Sequence, residues 1–136
     1  MAGMSVELRN APGLSRPRGY SHVSIAKGSR IIHLAGQIGT APDGTLQEGL
    51  AEQVEQAHLN LVEALAAAGA TPADLVKVTW YVKNWSAGVA ASFAEGIKRA
   101  QAAKPLPAVP MTLVGVQALF RDNVEAEVEG VAVIEG

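Results

Sequence analysis

The sequence contains no cysteine, and it is poor in charged and aromatic residues. The absence of cysteine excludes disulfide bonds and thiolate metal sites. Charged residues make up 18% of the chain, against roughly 25% in an average protein. Because the net charge is −2 and aromatic residues are only 4%, the chain has neither a basic field nor stacking surfaces for nucleic acid, and we expect no nucleic-acid partner.

Long apolar runs are also missing. No stretch approaches the ~20 residues that span a bilayer, and residues 1–20 lack the basic-then-apolar layout of a secretion signal. We therefore expect no membrane partner and a cytoplasmic location. The length of 136 residues fits one domain. Since 49% of the residues are hydrophobic and few are charged, part of the surface is expected to be hidden in a homo-oligomer.

The spacing of apolar residues predicts an α+β domain. Residues 1–20 hold several prolines and glycines and predict an irregular lead-in, with a single domain over 21–136. Residues 21–26 and 30–38 flank a Lys-Gly-Ser turn, which predicts a β-hairpin. Two helices are predicted over 49–69, which Gly69 ends, and over 86–103, which Ser86 begins. A short helical turn is predicted at 71–74, and strands are predicted over 75–83, 111–119 and 124–134. This order favours two helices on one face of a mixed sheet.

Few side chains indicate chemistry by themselves. The three histidines, which we interpret as strand and helix-surface residues, do not have metal-ligand spacing, and no phosphate-binding glycine loop is present. The last strand carries Glu125, Glu127 and Glu129 on one side, and a solvated edge is the simplest interpretation of such a run. Glu129, however, precedes an apolar stretch, and a carboxylate where a wet face meets a buried one can act as a general acid or base.

Six segments in order make the chain resemble the RidA family, also called the YjgF/YER057c/UK114 family. They are Gly19-Tyr20-Ser21, Ala35-Gly36-Gln37-Ile38, the helical stretch 52–61, Ala68-Gly69-Ala70, the strand 75–83 and the strand 124–132. The resemblance implies a chorismate-mutase-like fold assembled as a homotrimer, with a central barrel of sheets, helices outside and ligand clefts at the subunit interfaces. Active members hydrolyse enamines and imines to 2-oxo acids and ammonia without a metal or organic cofactor.

The resemblance also implies site residues. Glu129 matches the glutamate that activates the hydrolytic water, and Tyr20 and Gly36 match the tyrosine and glycine of the ligand cleft. Ser92 falls near the asparagine of that cleft. The arginine that holds the substrate carboxylate is absent, since one alignment places Met111 there and another places Val109. With Met111, Leu113 completes the expected ligand-binding set.

The missing arginine predicts a change of substrate. Burying a carboxylate without a cation costs several kcal/mol, so the cleft is expected to reject small 2-imino acids and to prefer a neutral or partly apolar ligand. Arg16, Arg18, Arg99 or Arg121 can still reach in from elsewhere or from a neighbouring subunit. Two functions stay open, a hydrolase of the imine or enamine deaminase type and a metabolite-binding trimer without catalysis. A ribonuclease is disfavoured by the negative net charge.

Overall fold

The structure is a computed structural model that describes residues 6–136. Over this range the chain forms six strands, two α-helices and one 3₁₀ turn, which are β1 (Val6–Arg9), β2 (Val23–Ala26), β3 (Arg30–Ile38), α1 (Leu50–Ala67), the turn Pro72–Asp74, β4 (Leu75–Lys83), α2 (Ala87–Ala103), β5 (Met111–Val116) and β6 (Ala126–Ile134). Neither α1 nor α2 is long and apolar enough to cross a membrane.

The main sheet has four strands in the order β3-β6-β4-β5. The central strand β6 runs antiparallel to β3 and β4, while β4 and β5 are parallel. Both helices cover one face, where Leu61, Leu65 and Phe93 pack against Trp80 and Val128 in a single apolar core. The structure therefore confirms the predicted α+β class and the placement of two helices on one face of a mixed sheet.

The predicted hairpin between residues 21–26 and 30–38 is wrong. β2 pairs with β1 in a separate two-stranded sheet, so part of the segment predicted to be irregular, Val6–Arg9, is a strand. The three-residue connection between β2 and β3 bonds to the end of β6, since the Ser29 N–H donates to the Ile134 carbonyl at 3.1 Å. The hydroxyl of Ser24 donates to the Val76 carbonyl at 2.6 Å and holds β2 near the start of β4 instead.

Local signals end the helices where the sequence predicts. Gly69, with φ of 77°, follows α1, and the Ala70 N–H donates to the Leu65 carbonyl at 2.9 Å, which is the pattern of a Schellman motif. Ser86 caps α2 by accepting a hydrogen bond from the Gly88 N–H at 3.2 Å. The last two strands are shorter than predicted: β5 ends at Val116, which pairs with the final residue of β4, and β6 begins at Ala126.

Candidate functional site in the outer face of the sheet

The face of the main sheet that points away from the helices carries most of its polar side chains. Strand register brings these side chains into rows, because residues directly opposite each other project to the same face. Thr79 on β4 lies opposite Glu129 on β6 and opposite Thr112 on β5. We call this surface the outer face, and it consists of Ile31 and His33 of β3, Lys77, Thr79, Tyr81 and Lys83 of β4, Glu127, Glu129, Val131 and Val133 of β6, and Thr112, Val114 and Val116 of β5.

Glu129 is half-buried and has a defined partner. The Tyr81 hydroxyl donates a hydrogen bond to Glu129 Oε1, reaching diagonally from β4 to β6. Within residues 6–136 no hydrogen bond involves the other carboxylate oxygen of Glu129, Oε2. The carboxylate is therefore oriented through one oxygen and keeps the other available for water or a ligand.

The charge of Glu129 acts on Tyr81 in return. The pKa of the Tyr81 hydroxyl is raised, first by its hydrogen bond to the Glu129 carboxylate, then by burial and by the negative charges of Glu129 and Glu127. A tyrosine with a raised pKa stays protonated throughout the neutral range. Tyr81 is consequently a permanent hydrogen-bond donor to Glu129 under ordinary conditions.

A bulge in β3 makes room for the second carboxylate of the face. The pairing of β3 with β6 shifts register between Leu34 and Gln37, and Gly36 lies in this irregularity. A Cβ atom on Gly36 would overlap the carboxylate of Glu127. Glu127 therefore rests against the Gly36 backbone, and a side chain at position 36 would displace this carboxylate.

The cations of the outer face are lysines. Lys77 Nζ donates to Thr112 Oγ1 at 2.6 Å, and Lys83 Nζ donates to the carbonyl of Asp122. The ion pairs among the described residues involve Arg9 and Arg99, and none of them includes Lys77. Arg99 is held on the helical layer by Glu52, Glu55 and Glu95. Its charge is thus neutralised far from the outer face, while Arg16, Arg18 and Arg121 are exposed.

Met111 and Leu113 lie on the opposite face from Glu129. Both are partly buried and pack against the core between sheet and helices. Met111, together with Val109, Trp80 and His58, lines a cavity of about 60 Å³ on that side. Within one protomer Met111 and Glu129 therefore do not share a cleft.

The other predicted residues are dispersed. Tyr20 is half-buried in the segment before β2, where its ring meets His22 edge to face at 6.2 Å. Ser92 is exposed on α2, in the helical layer. Gly36 lies beside Glu127, the next outward residue of β6 before Glu129.

His58 differs from the interpretation of the histidines as strand and helix-surface residues. It is buried, with 2% of its surface exposed, and its Nε2 lies 2.7 Å from the Lys104 carbonyl. Burial lowers the pKa of its imidazole, and the hydrogen bond to Lys104 opposes that shift only in part. His58 is therefore a neutral core residue that connects α1 to the end of α2.

Comparison with known proteins assigns the chain to a family. A family model described as Endoribonuclease L-PSP matches residues 12–134. The chain belongs to this family. Among solved structures it is similar to YyfB of Yersinia pestis, a protein of the conserved Rid family whose function is unknown, with 30% identity, a TM-score of 0.84 and coverage of 96% of this chain and 100% of that one. None of the curated protein sequences matches it significantly.

Two E. coli structures extend the comparison. The YjgF gene product shares 28% identity with a TM-score of 0.66, covering 91% of this chain and 93% of that one. TdcF, solved with bound serine, shares 27% identity with a TM-score of 0.65, covering 94% and 96%. These likenesses confirm the RidA resemblance and the chorismate-mutase-like fold.

Proposed function

We propose that this protein is a RidA-type hydrolase that converts imines or enamines other than small 2-imino acids into carbonyl compounds and ammonia. The single observation that carries the proposal is the half-buried Glu129 carboxylate, oriented by the Tyr81 hydroxyl at one oxygen. A carboxylate held in this way can accept a proton from water through its second oxygen.

The proposed reaction needs only water and this carboxylate. Glu129 Oε2 accepts a proton from water as the water oxygen forms a bond to the imine carbon, and the π electron pair of the C=N bond moves to nitrogen. Return of this proton to nitrogen gives a carbinolamine. Glu129 then takes the hydroxyl proton of the carbinolamine and passes it to nitrogen, and the oxygen electron pair forms the C=O bond as the C–N bond breaks. One imine and one water thus yield one carbonyl compound and one ammonia. An enamine first takes a proton on carbon and loses one from nitrogen, which converts it into the imine. Tyr81 fixes Glu129 during these steps and does not exchange its own proton, which agrees with its raised pKa.

The excluded substrates follow from the residues at the arginine position. A small 2-imino acid carries its carboxylate directly on the reacting carbon, next to Glu129 and Glu127. Neither Met111 nor Val109 offers a charge to offset that repulsion. We infer that 2-iminopropionate and 2-aminoacrylate are not turned over.

A homotrimer is part of the proposal. Ile31 is 69% exposed beside Val133, and Phe120 is 88% exposed in the connection between β5 and β6, so the single chain leaves large apolar side chains for other copies to cover. Trimer formation places ligand clefts at the interfaces next to the outer face. Sedimentation of a monodisperse monomer at micromolar concentration would contradict this assembly.

An imine-trapping assay tests the activity. An amino-acid oxidase generates 2-imino acids from a panel of amino acids, and an amine oxidase generates imines without a carboxylate on the reacting carbon from a panel of amines. Semicarbazide traps these imines, and hydrolysis by this protein lowers semicarbazone formation. We expect activity on some members of the panel other than the imines of alanine and serine. Glu129→Gln should abolish this activity. Glu125→Gln should retain it, because the Glu125 carboxylate lies on the same side of the chain but does not contact Tyr81. Equal activity of Glu129→Gln and the unmodified protein would refute the proposal.

A second candidate function is metabolite binding without catalysis. The observation that favours it is the serine found in the E. coli TdcF structure, because a relative of the same fold there holds an amino acid. Binding of an imine analogue that depends on Glu129, together with no turnover of any panel member, would support this candidate over the hydrolase.

A further inference from the structure

Lys77 is a cation of the outer face that has no acidic partner in the part of the chain described. Its ammonium donates to the neutral hydroxyl of Thr112 at 2.6 Å, and the ion pairs of residues 6–136 do not include it. An ammonium carries three donors, so this hydrogen bond leaves two for another acceptor. Lys77 is thus positioned, charged and able to bind an anion.

The position of this ammonium relative to Glu129 is set by three adjacent strands. Glu129, Thr79 and Thr112 lie directly opposite one another on β6, β4 and β5. Neighbouring strands are about 4.8 Å apart, so the backbones that carry Glu129 and Thr112 are separated by about 10 Å. A negative group and a positive group therefore occupy the two ends of one row, with the small side chain of Thr79 between them.

We propose that Lys77 and Thr112 form an anion-binding subsite that accepts a carboxylate located several bonds from the reacting carbon. The inference rests on the proposed function, since it takes the reacting carbon to lie at Glu129. It names the substrate class as imines or enamines with a distal carboxylate. A carboxylate bonded directly to the reacting carbon is too close to Glu129 to reach the other end of the row.

The charge of the face favours a carboxylate over a phosphate. Glu127 and Glu129 lie on the same face as Lys77, and Lys83 is engaged with the carbonyl of Asp122. A phosphate brings nearly two negative charges into this surrounding, whereas a carboxylate brings one. Only the latter is balanced by a single ammonium.

Zwitterions of increasing length test the spacing directly. Glycine, γ-aminobutyrate and ε-aminocaproate each present an ammonium for Glu129 and a carboxylate for Lys77, and binding is followed by the amide NMR signals of Glu129 and Thr112. We expect affinity to increase along the series. Lys77→Met should weaken ε-aminocaproate binding about tenfold, the low end for a hydrogen bond to a charged group, and should remove the length dependence.

Three controls separate this role from a purely structural one. Lys83→Met removes another lysine of the same strand and face and should leave binding unchanged, while Lys77→Arg should retain it. Inorganic phosphate should bind more weakly than ε-aminocaproate. Equal affinity along the series, insensitivity to Lys77→Met, absence of binding by every zwitterion, or tighter binding of phosphate would each overturn the inference.

Failure of the inference is distinguishable from failure of the proposed function. Turnover that requires Glu129 but shows no preference linked to Lys77 would leave the hydrolase standing and refute the subsite. Lys77-dependent binding of ε-aminocaproate without turnover of any imine would support the subsite and refute the hydrolase.

Discussion

The pairing of Tyr81 with Glu129 makes a prediction that can be measured in both stability and turnover. Tyr81→Phe removes one hydroxyl that donates to a carboxylate and leaves the rest of the ring in place. Hydrogen bonds to charged groups contribute about 1.5–3 kcal/mol, and partial exposure of both side chains reduces this value. We therefore expect Tyr81→Phe to lower the free energy of unfolding by about 1 kcal/mol.

A double-mutant cycle with Glu129→Gln isolates the interaction. If the hydroxyl acts through the Glu129 carboxylate, the two substitutions are not additive, and their coupling energy is about 1 kcal/mol. Loss of the oriented carboxylate should also slow imine hydrolysis, by about fivefold if the same free energy is lost from the transition state. Urea unfolding followed by circular dichroism measures the first quantity, and the imine-trapping assay measures the second.

Tyr20→Phe is the matched control, because Tyr20 is the tyrosine that the family resemblance assigns to the cleft. Its ring contacts His22, and its hydroxyl makes no hydrogen bond to Glu129 within the described residues. In a single chain its effect on stability should be additive with that of Glu129→Gln. Additivity for Tyr81 and coupling for Tyr20 would show that the hydrogen bond in the outer face does not orient Glu129.

Three further predictions concern the packing of the helices, the buried histidine and the family description. Gly96→Ala should cost about 1 kcal/mol by urea unfolding, because its Cβ would lie 2.6 Å from the Ala51 carbonyl, and an overpacking cost of about 1–3 kcal/mol exceeds the gain in helix propensity. Gly88→Ala, whose Cβ would meet only Ser86 Oγ at 3.4 Å, should cost nothing. Burial lowers the pKa of His58 below the ordinary 6.5, so protons bind preferentially to the unfolded chain, and the free energy of unfolding should fall as the pH drops from about 8 to about 5. His58→Gln should flatten this pH dependence. An unchanged pH profile in His58→Gln would contradict the prediction. Incubation with single-stranded RNA should yield no cleavage products on a denaturing gel, because the net charge of −2 and the carboxylates of Glu127 and Glu129 on the outer face repel phosphate.

The elements that could be predicted are those with signals confined to their own residues. The strand β4 has the predicted bounds because β-branched and aromatic residues make up most of Leu75–Lys83. The helix α1 ends before Gly69, whose positive φ suits glycine, and α2 begins after its Ser86 cap. In each case the physical cause lies within a few residues of its effect.

The hairpin failed because the choice of a strand's partner is not local. A short connection with a glycine is compatible with β2 folding back on β3, and the sequence contains nothing that excludes it. β2 pairs with β1 instead, and the prolines and glycines that follow Val6–Arg9 in the sequence predict an irregular segment rather than this strand. Ser29 is meanwhile bonded to Ile134, more than a hundred positions away along the chain.

Of the candidate site, only the position of Glu129 could be predicted, because the other contacts depend on how distant strands pair. Its position between the alternating glutamates and the apolar end of β6 is visible in the sequence, whereas the approach of Tyr81 and Lys77 depends on strand order and register. Side-chain direction adds a second constraint, because a shift of one residue reverses the face of every side chain in a strand. The two alignments of the arginine position, Met111 and Val109, differ by two residues and so share one face, towards the helices. In either alignment the β5 side chain in the same row as Glu129 is Thr112, and the positive charge beside Thr112 is the Lys77 ammonium of β4.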